Sequence, residues 1–293
     1  MDEQHPSRIH PSMRIGYVSL NVPDLQKSLD FYRSILGFKV VGRPSCERTL
    51  LSAGGSNYLL ELLQLKGNDA KPENARAPKR AGLYHFAILL PERKFLADML
   101  ENLNEKRDGV YFEGMADHLV SESLYIRDPD SNGIEIYRDR PRPEWSWSGG
   151  HVRMATERLD MQDLLMERTG QGWKVMPAQT VIGHVHLHVS DLAKALEFYS
   201  ETLGLNLTGS FPGAHFFAAD KYHHHIAANT WLGKDIAPAS PDKAGLNHFG
   251  IELPDSEFEN TVAHLESRGI AVKDSGHLQD LDGITIRLFR TPQ

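Results

Sequence analysis

Apolar residues alternate with other residues at Val18, Leu20 and Val22, the period of a strand with one buried face. The period then changes. Leu25, Leu29, Tyr32 and Leu36 follow at helical spacing. Asp24 stands where it can cap the first turn of that helix, and Gly37 where the helix ends. The passage recurs: "IGYVSLNVPDLQKSLDFYRSILGF" (15–38) and "IGHVHLHVSDLAKALEFYSETLGL" (182–205) share 13 of 24 positions. Asp191 and Gly204 take the capping places in the second copy. "GLYHFAILLP" (82–91) and "GLNHFGIELP" (245–254) share seven of ten. The chain is therefore a duplication whose halves each hold two units. Short strands follow each helix, as in "NYLLELLQL" and "SLYIRDPDSNGIEIY", where "DPDSNG" supplies a turn. The expected unit is β-α-β-β-β, four times over, in an α+β fold. Residues 1–140 and 180–293 are expected as two domains. The Arg-, Pro-, Gly- and Trp-rich stretch 141–179 reads as their connector, with one short helix at Met161–Arg168 and with Trp145 and Trp147 packing it onto the body.

Composition narrows the function. At 293 residues the chain is long enough for two cores, and 40% hydrophobic and 24% charged residues suit a soluble globular protein. A net charge of -7 argues against a general nucleic-acid binder. There is no apolar run long enough for a membrane span, and "MDEQHPSRIHPSMR" has no secretory apolar region. One cysteine, Cys46, excludes an internal disulfide, fits a reducing cytoplasm, and reads as a small buried hydrophobe.

Candidate chemistry gathers in the second half, where ten of the fifteen histidines lie between His184 and His277. His223, His224 and His225 stand side by side in "DKYHHHIAANTW", a poor choice for stability and a good one for holding a metal or moving protons. On strand alternation, His224 faces one way and His223 and His225 the other. His184, His186 and His188 share one face of their strand. Asp128, Asp130 and Asn132 form a turn, since the later ligands of a calcium loop are missing.

The "DLxKxLxFYxxxLG" repeat, "DPDSNGIEIYRDRP" and "HVHLHVSDL" together resemble the vicinal oxygen chelate superfamily, and within it the catechol-2,3-dioxygenase subgroup of extradiol ring-cleaving enzymes. The likeness covers nearly the whole chain. It implies four βαβββ modules paired into two domains whose curled sheets form a metal cup. Extradiol chemistry calls for Fe(II), or Mn(II) with the same ligands, held by two histidines and one carboxylate, so that positions stay open for a small aromatic diol and O2. A base must also take a phenolic proton.

On the family's pattern a ligand stands seven residues before the capping Asp. That residue is His184 in module three and Tyr17 in module one. Ligands in "GLxHF" are His85 and His248, and the carboxylate in "NGIEIY" is Glu135. Module four has no glutamate there; Thr285 or Arg287 takes its place. Only modules two and three together then offer a full set: His85, Glu135 and His184. The resemblance makes His224 the acid/base, and His118 and Tyr125 the groups that bond the substrate or its ring-opened intermediate. With the register slipped by one, His225 becomes the inward residue and a possible fourth ligand. A fourth ligand, His225 or Glu61, would suit a glyoxalase-like isomerase or epimerase with Ni, Zn or Co. A third reading is a non-enzymatic binder of aromatic compounds. The open sheet edges of the family are compatible with a homo-oligomer.

Overall fold

The computed structural model describes residues 9–55, 57–66, 79–234, 236–240 and 242–291. Module one holds β1 (Arg14–Val22), α1 (Leu25–Ser34), β2 (Lys39–Ser45), β3 (Arg48–Ser52) and β4 (Leu60–Gln64). Module two holds β5 (Gly82–Leu89), α2 (Arg93–Glu105), β6 (Tyr111–Asp117), β7 (Ser121–Arg127) and β8 (Gly133–Asp139). The connector contributes β9 (Trp147–Ser148), β10 (His151–Val152) and α3 (Met161–Met166). Module three holds β11 (Val181–His188), α4 (Leu192–Ala195), β12 (Asn206–Phe211), β13 (Ala214–Ala218) and β14 (Ile226–Asn229); beyond α4 the chain winds on as a π-helix through Leu196–Thr202. Module four holds β15 (Gly245–Leu253), α5 (Asp255–Ser267), β16 (His277–Gln279) and β17 (Thr285–Arg290), one strand fewer than the expected unit among the described residues.

The caps are those the repeat predicts. Asp24 accepts the N–H of Lys27, and Asp191 that of Ala193. Gly37 and Gly204 take positive φ, 81° and 86°, at the ends of the two helices.

The strands form two large sheets. One runs β16-β17-β15-β1-β4-β3-β2 and takes modules one and four; the other runs β12-β13-β14-β11-β5-β8-β7-β6 and takes modules two and three. The sheets therefore do not follow the two halves of the sequence: residues 1–140 and 180–293 each give one module to each sheet. The joins are antiparallel, β1 on β15 and β11 on β5. One apolar cluster draws on all four modules, including Leu29, Leu96, Phe198 and Leu265 from their helices. The connector is fixed by Trp145, buried with Val120, Val152 and Tyr222, with Trp147 packed beside it. Its α3 is tied down where Arg93 bonds Asp163 and Glu167 as well as the buried Glu122. Cys46 is exposed, not buried: it lies in the turn after β2, where the polar run "RPSCER" leaves nothing to cover it. No helix among the described residues is long and apolar enough to cross a membrane.

Candidate metal centre and active site

The antiparallel join of β11 and β5 builds the site. It brings His186 opposite His85 and His184 opposite Ala87, with a bulge between Ile182 and His184. On the other side of β5, β8 runs parallel and sets Glu135 beside Ala87. The register therefore carries His85, Glu135 and His184 to one spot. Their ligand atoms lie within 4.8 Å of one another. Glu135 Oε2 is 3.0 Å from His85 Nε2 and 3.1 Å from His184 Nε2. Its other oxygen, Oε1, accepts from Ser123 Oγ at 2.6 Å, which leaves Oε2 to the imidazoles. Gly183 makes room for this approach: a Cβ there would come within 1.8 Å of Tyr137 Oη.

These residues fit a divalent metal. His85 Nε2 lies close to the carboxylate yet is not aligned to hydrogen-bond it, and it is buried without another partner. A buried nitrogen left so is explained if its lone pair serves an ion. Burial pushes His184 down to about 4 against the raising field of Glu135, so the ring is neutral at pH 7. Burial also acts to raise Glu135, but His184 and His85 outweigh it and hold the carboxyl well below its ordinary range. A neutral imidazole at His184 and an ionised carboxylate at Glu135 are forms that bind metal.

Two of the three, His85 and Glu135, line a cavity of about 680 Å³ together with His118, Tyr125, His186 and His224. His118 Nε2 and Tyr125 Oη are 2.7 Å apart, and His118 Nδ1 is 2.7 Å from the carbonyl of Ala155. Burial drives the Tyr125 phenol well above its usual value, so it keeps its proton to donate. Met115, Met154, Phe211, Phe216, Trp231 and Tyr84 supply an apolar wall, and no Lys or Arg among the described residues lines the space. A separate cavity of about 380 Å³, at Lys79, Asp130 and Gly283, holds none of the triad.

The histidine triplet differs from the alternation expected of it. It lies in an irregular bend, and β14 begins only at Ile226. His223 and His224 therefore sit side by side, Nδ1 to Nδ1 at 2.8 Å, and both belong to a group with His184. Burial pushes His224 well below its usual value, helped by His184 and His223. His225 stands apart, its Nδ1 accepting the N–H of Ala219 and its ring on Tyr222. Glu61 lies in the other sheet beside Arg48, 3.8 Å from His248. Neither candidate for a fourth ligand is grouped with the triad.

Sequence reasoning missed Asp139, which accepts from His223 Nε2 at 3.0 Å, and the role of Tyr222, whose hydroxyl donates to it at 3.0 Å. Only the position of Asp139 four residues after Glu135, on the same face of β8, could have signalled it. His186, on the strand face it shares with His184, proves to be a cavity wall whose buried Nε2 has no hydrogen-bond partner.

The other sheet repeats the geometry with different residues. Phe86 pairs with Ile134 and Ala87 with Glu135; in module four Phe249 pairs with Ile286 and Gly250 with Arg287. Arg287, and not Thr285, is thus the counterpart of Glu135. Its Nη1 donates to Tyr17 Oη at 3.3 Å, and Tyr17 Oη is hydrogen-bonded to His248 Nε2 at 2.9 Å. A fixed guanidinium and a phenol replace two of the three ligands there.

The pattern of the Glyoxalase/Bleomycin resistance protein/Dioxygenase superfamily matches residues 14–136 and 181–293. The chain belongs to this superfamily. It is 39% identical over 273 residues to a catechol-2,3-dioxygenase of Bacillus subtilis (strain 168), covering 91% of this chain and 92% of the relative. Among solved structures, glyoxalase I from Zea mays superposes with a TM-score of 0.58 at 16% identity, covering 94% of this chain and 92% of that one. The cppA protein of Streptococcus pneumoniae TIGR4 does so at 0.58 and 12%, covering 98% and 100%. At those identities the likeness establishes the fold, vicinal oxygen chelate modules in two sheets.

Proposed function

We propose that this superfamily member is an extradiol dioxygenase that opens a catechol- or hydroquinone-type ring with O2. The observation that carries the reading is the convergence of His85, His184 and Glu135, the first and last of which line an aromatic-walled cavity. The full-length similarity to a catechol-2,3-dioxygenase supports it. The three residues would hold Fe(II) or Mn(II), a two-histidine, one-carboxylate set that keeps coordination positions open. Such an ion, when bound, stabilises an ionised diol and couples it electronically to O2.

The chain's own residues would do the rest. His224, neutral and on the cavity wall, takes the hydroxyl proton of the entering diol. Tyr125, whose hydroxyl reaches His118 Nε2 in this structure, would turn it to the oxygen on which charge develops. Phe216, Trp231 and Tyr84 orient the ring and exclude water. With no cation in the wall, an uncharged ring suits the site better than one carrying a carboxylate. The isomerase alternative needs a fourth protein ligand, and neither His225 nor Glu61 is grouped with the triad.

Anaerobic loading with Fe(II) or Mn(II), followed by aerated catechol, methylcatechol or methylhydroquinone, tests this. Oxygen uptake with a coloured ring-opened product is expected, and ring-carboxylated catechols should turn over more slowly. No uptake with any of them, or retention of only zinc or nickel, would overturn the reading.

A further inference from the structure

We infer that Asp139 and His223 are positioning residues that fix the proton on Nδ1 of His224, so that Nε2 is left with its lone pair for the substrate. The order of hydrogen bonds allows one solution for neutral rings. A carboxylate only accepts, so His223 Nε2, 3.0 Å from Asp139 Oδ1, must carry hydrogen. A neutral imidazole has one N–H, so His223 Nδ1 accepts. His224 Nδ1, 2.8 Å away, must then donate to it. His224 keeps its lone pair on Nε2 while its ring lies 4.0 Å from that of His184, centroid to centroid, on the cavity wall.

The pair is built to stay in place. His223 is only 1% exposed, with the ring of Tyr222 tilted over it at 4.2 Å and that of Trp145 edge-on at 5.3 Å. Asp139 is held in turn: Tyr222 donates to it, and Tyr137 donates to Tyr222 at 2.8 Å. The chain of bonds runs from β8, which also carries Glu135, to the bend before β14. One strand of module two thus aims both the metal-binding carboxylate and the carboxylate that sets the base in module three. Its catalytic consequence rests on the dioxygenase reading; the order of bonds does not.

The test has a spectroscopic arm and a kinetic arm. In protein labelled with ¹⁵N-histidine and free of metal, His224 Nε2 should give the signal of an unprotonated nitrogen. In Asp139→Asn the amide can donate to His223, the order reverses, and His224 Nε2 should become N–H. With catechol as substrate, kcat of the loaded Asp139→Asn enzyme should fall by about 10²–10⁴ with KM little changed, and Asp139→Glu should recover most of it. A nitro-substituted catechol, already ionised at neutral pH, bypasses the base and should lose far less. A merely structural defect would depress both substrates alike, and that result overturns the inference. A protonated Nε2 in the unmodified protein overturns it whether or not any variant folds. If the unmodified enzyme turns over no aromatic diol, the dioxygenase reading fails and the nitrogen signals alone decide the order of bonds.

Discussion

The proposed ligands, the proposed base and the proposed donor give separable predictions. His184→Ala or Glu135→Ala removes one of the three proposed ligands, so both bound metal and turnover should be lost, measured by metal analysis and oxygen uptake. His224→Ala should keep the metal and lower kcat by about 10²–10⁴, the span of a general base. Tyr125→Phe removes one donor to the developing charge, and about 10²–10³ in kcat is expected to go with it. His85, Glu135 and His184 were legible because each sits in a segment that the duplication repeats. The triplet was less so. Alternation predicts opposite faces for His223 and His224, yet the bend ahead of β14 lets both nitrogens meet. Asp139 gave no sequence signal beyond its spacing, since its partner lies in another module.

At the scale of elements, turns and bulges set the precision of the site. Gly183 precedes the proposed ligand His184 and touches Tyr137, which holds Tyr222 and so Asp139. Gly183→Ala should destabilise the fold by about 1–3 kcal/mol, as overpacking does, with a lower urea midpoint. The two sheets are also latched by a repeated contact. Tyr32 of α1 donates to Asp128 in the turn before β8, and Tyr199 donates to Asp280 in the turn before β17, each at 2.7 Å. The "DPDSNG" turn is thus a docking element, and its lack of calcium-loop chemistry is explained by what Asp128 does instead. Burial pushes Asp280 up from 3.8 to about 6, against the bonds it accepts from Tyr199 and from the N–H groups of Ile284 and Asp282. Between those values the native state binds more protons than the unfolded chain. Stability from this group is therefore full below about pH 4 and falls as pH rises to 6, by about 3 kcal/mol. Asp280→Asn should lose less stability than the parent between pH 4 and pH 7, read from urea midpoints.

For the whole molecule, the exchange of modules between halves decides how many metal sites there are. Both sheets have the same plan, but the one from modules one and four carries Tyr17, His248 and Arg287 where the other carries His184, His85 and Glu135. The guanidinium takes the carboxylate's position and bonds Tyr17. A metal content near one per chain is expected, and near zero for His85→Ala, by elemental analysis. A content near two would contradict the assignment of the second cup as closed.

The sequence by itself determined the module, its caps and turns, the fourfold repeat, and which repeats lack a histidine or glutamate at the matching positions. These are local properties: period, capping spacing and residue type need no knowledge of distant partners. Tertiary structure decided how module two joins module three, β11 antiparallel on β5, and it alone decided that Arg287 rather than Thr285 opposes Gly250 and that Asp139 reaches His223. Those facts depend on strand register between segments far apart in the chain, and a slip of one residue there turns every side chain to the other face.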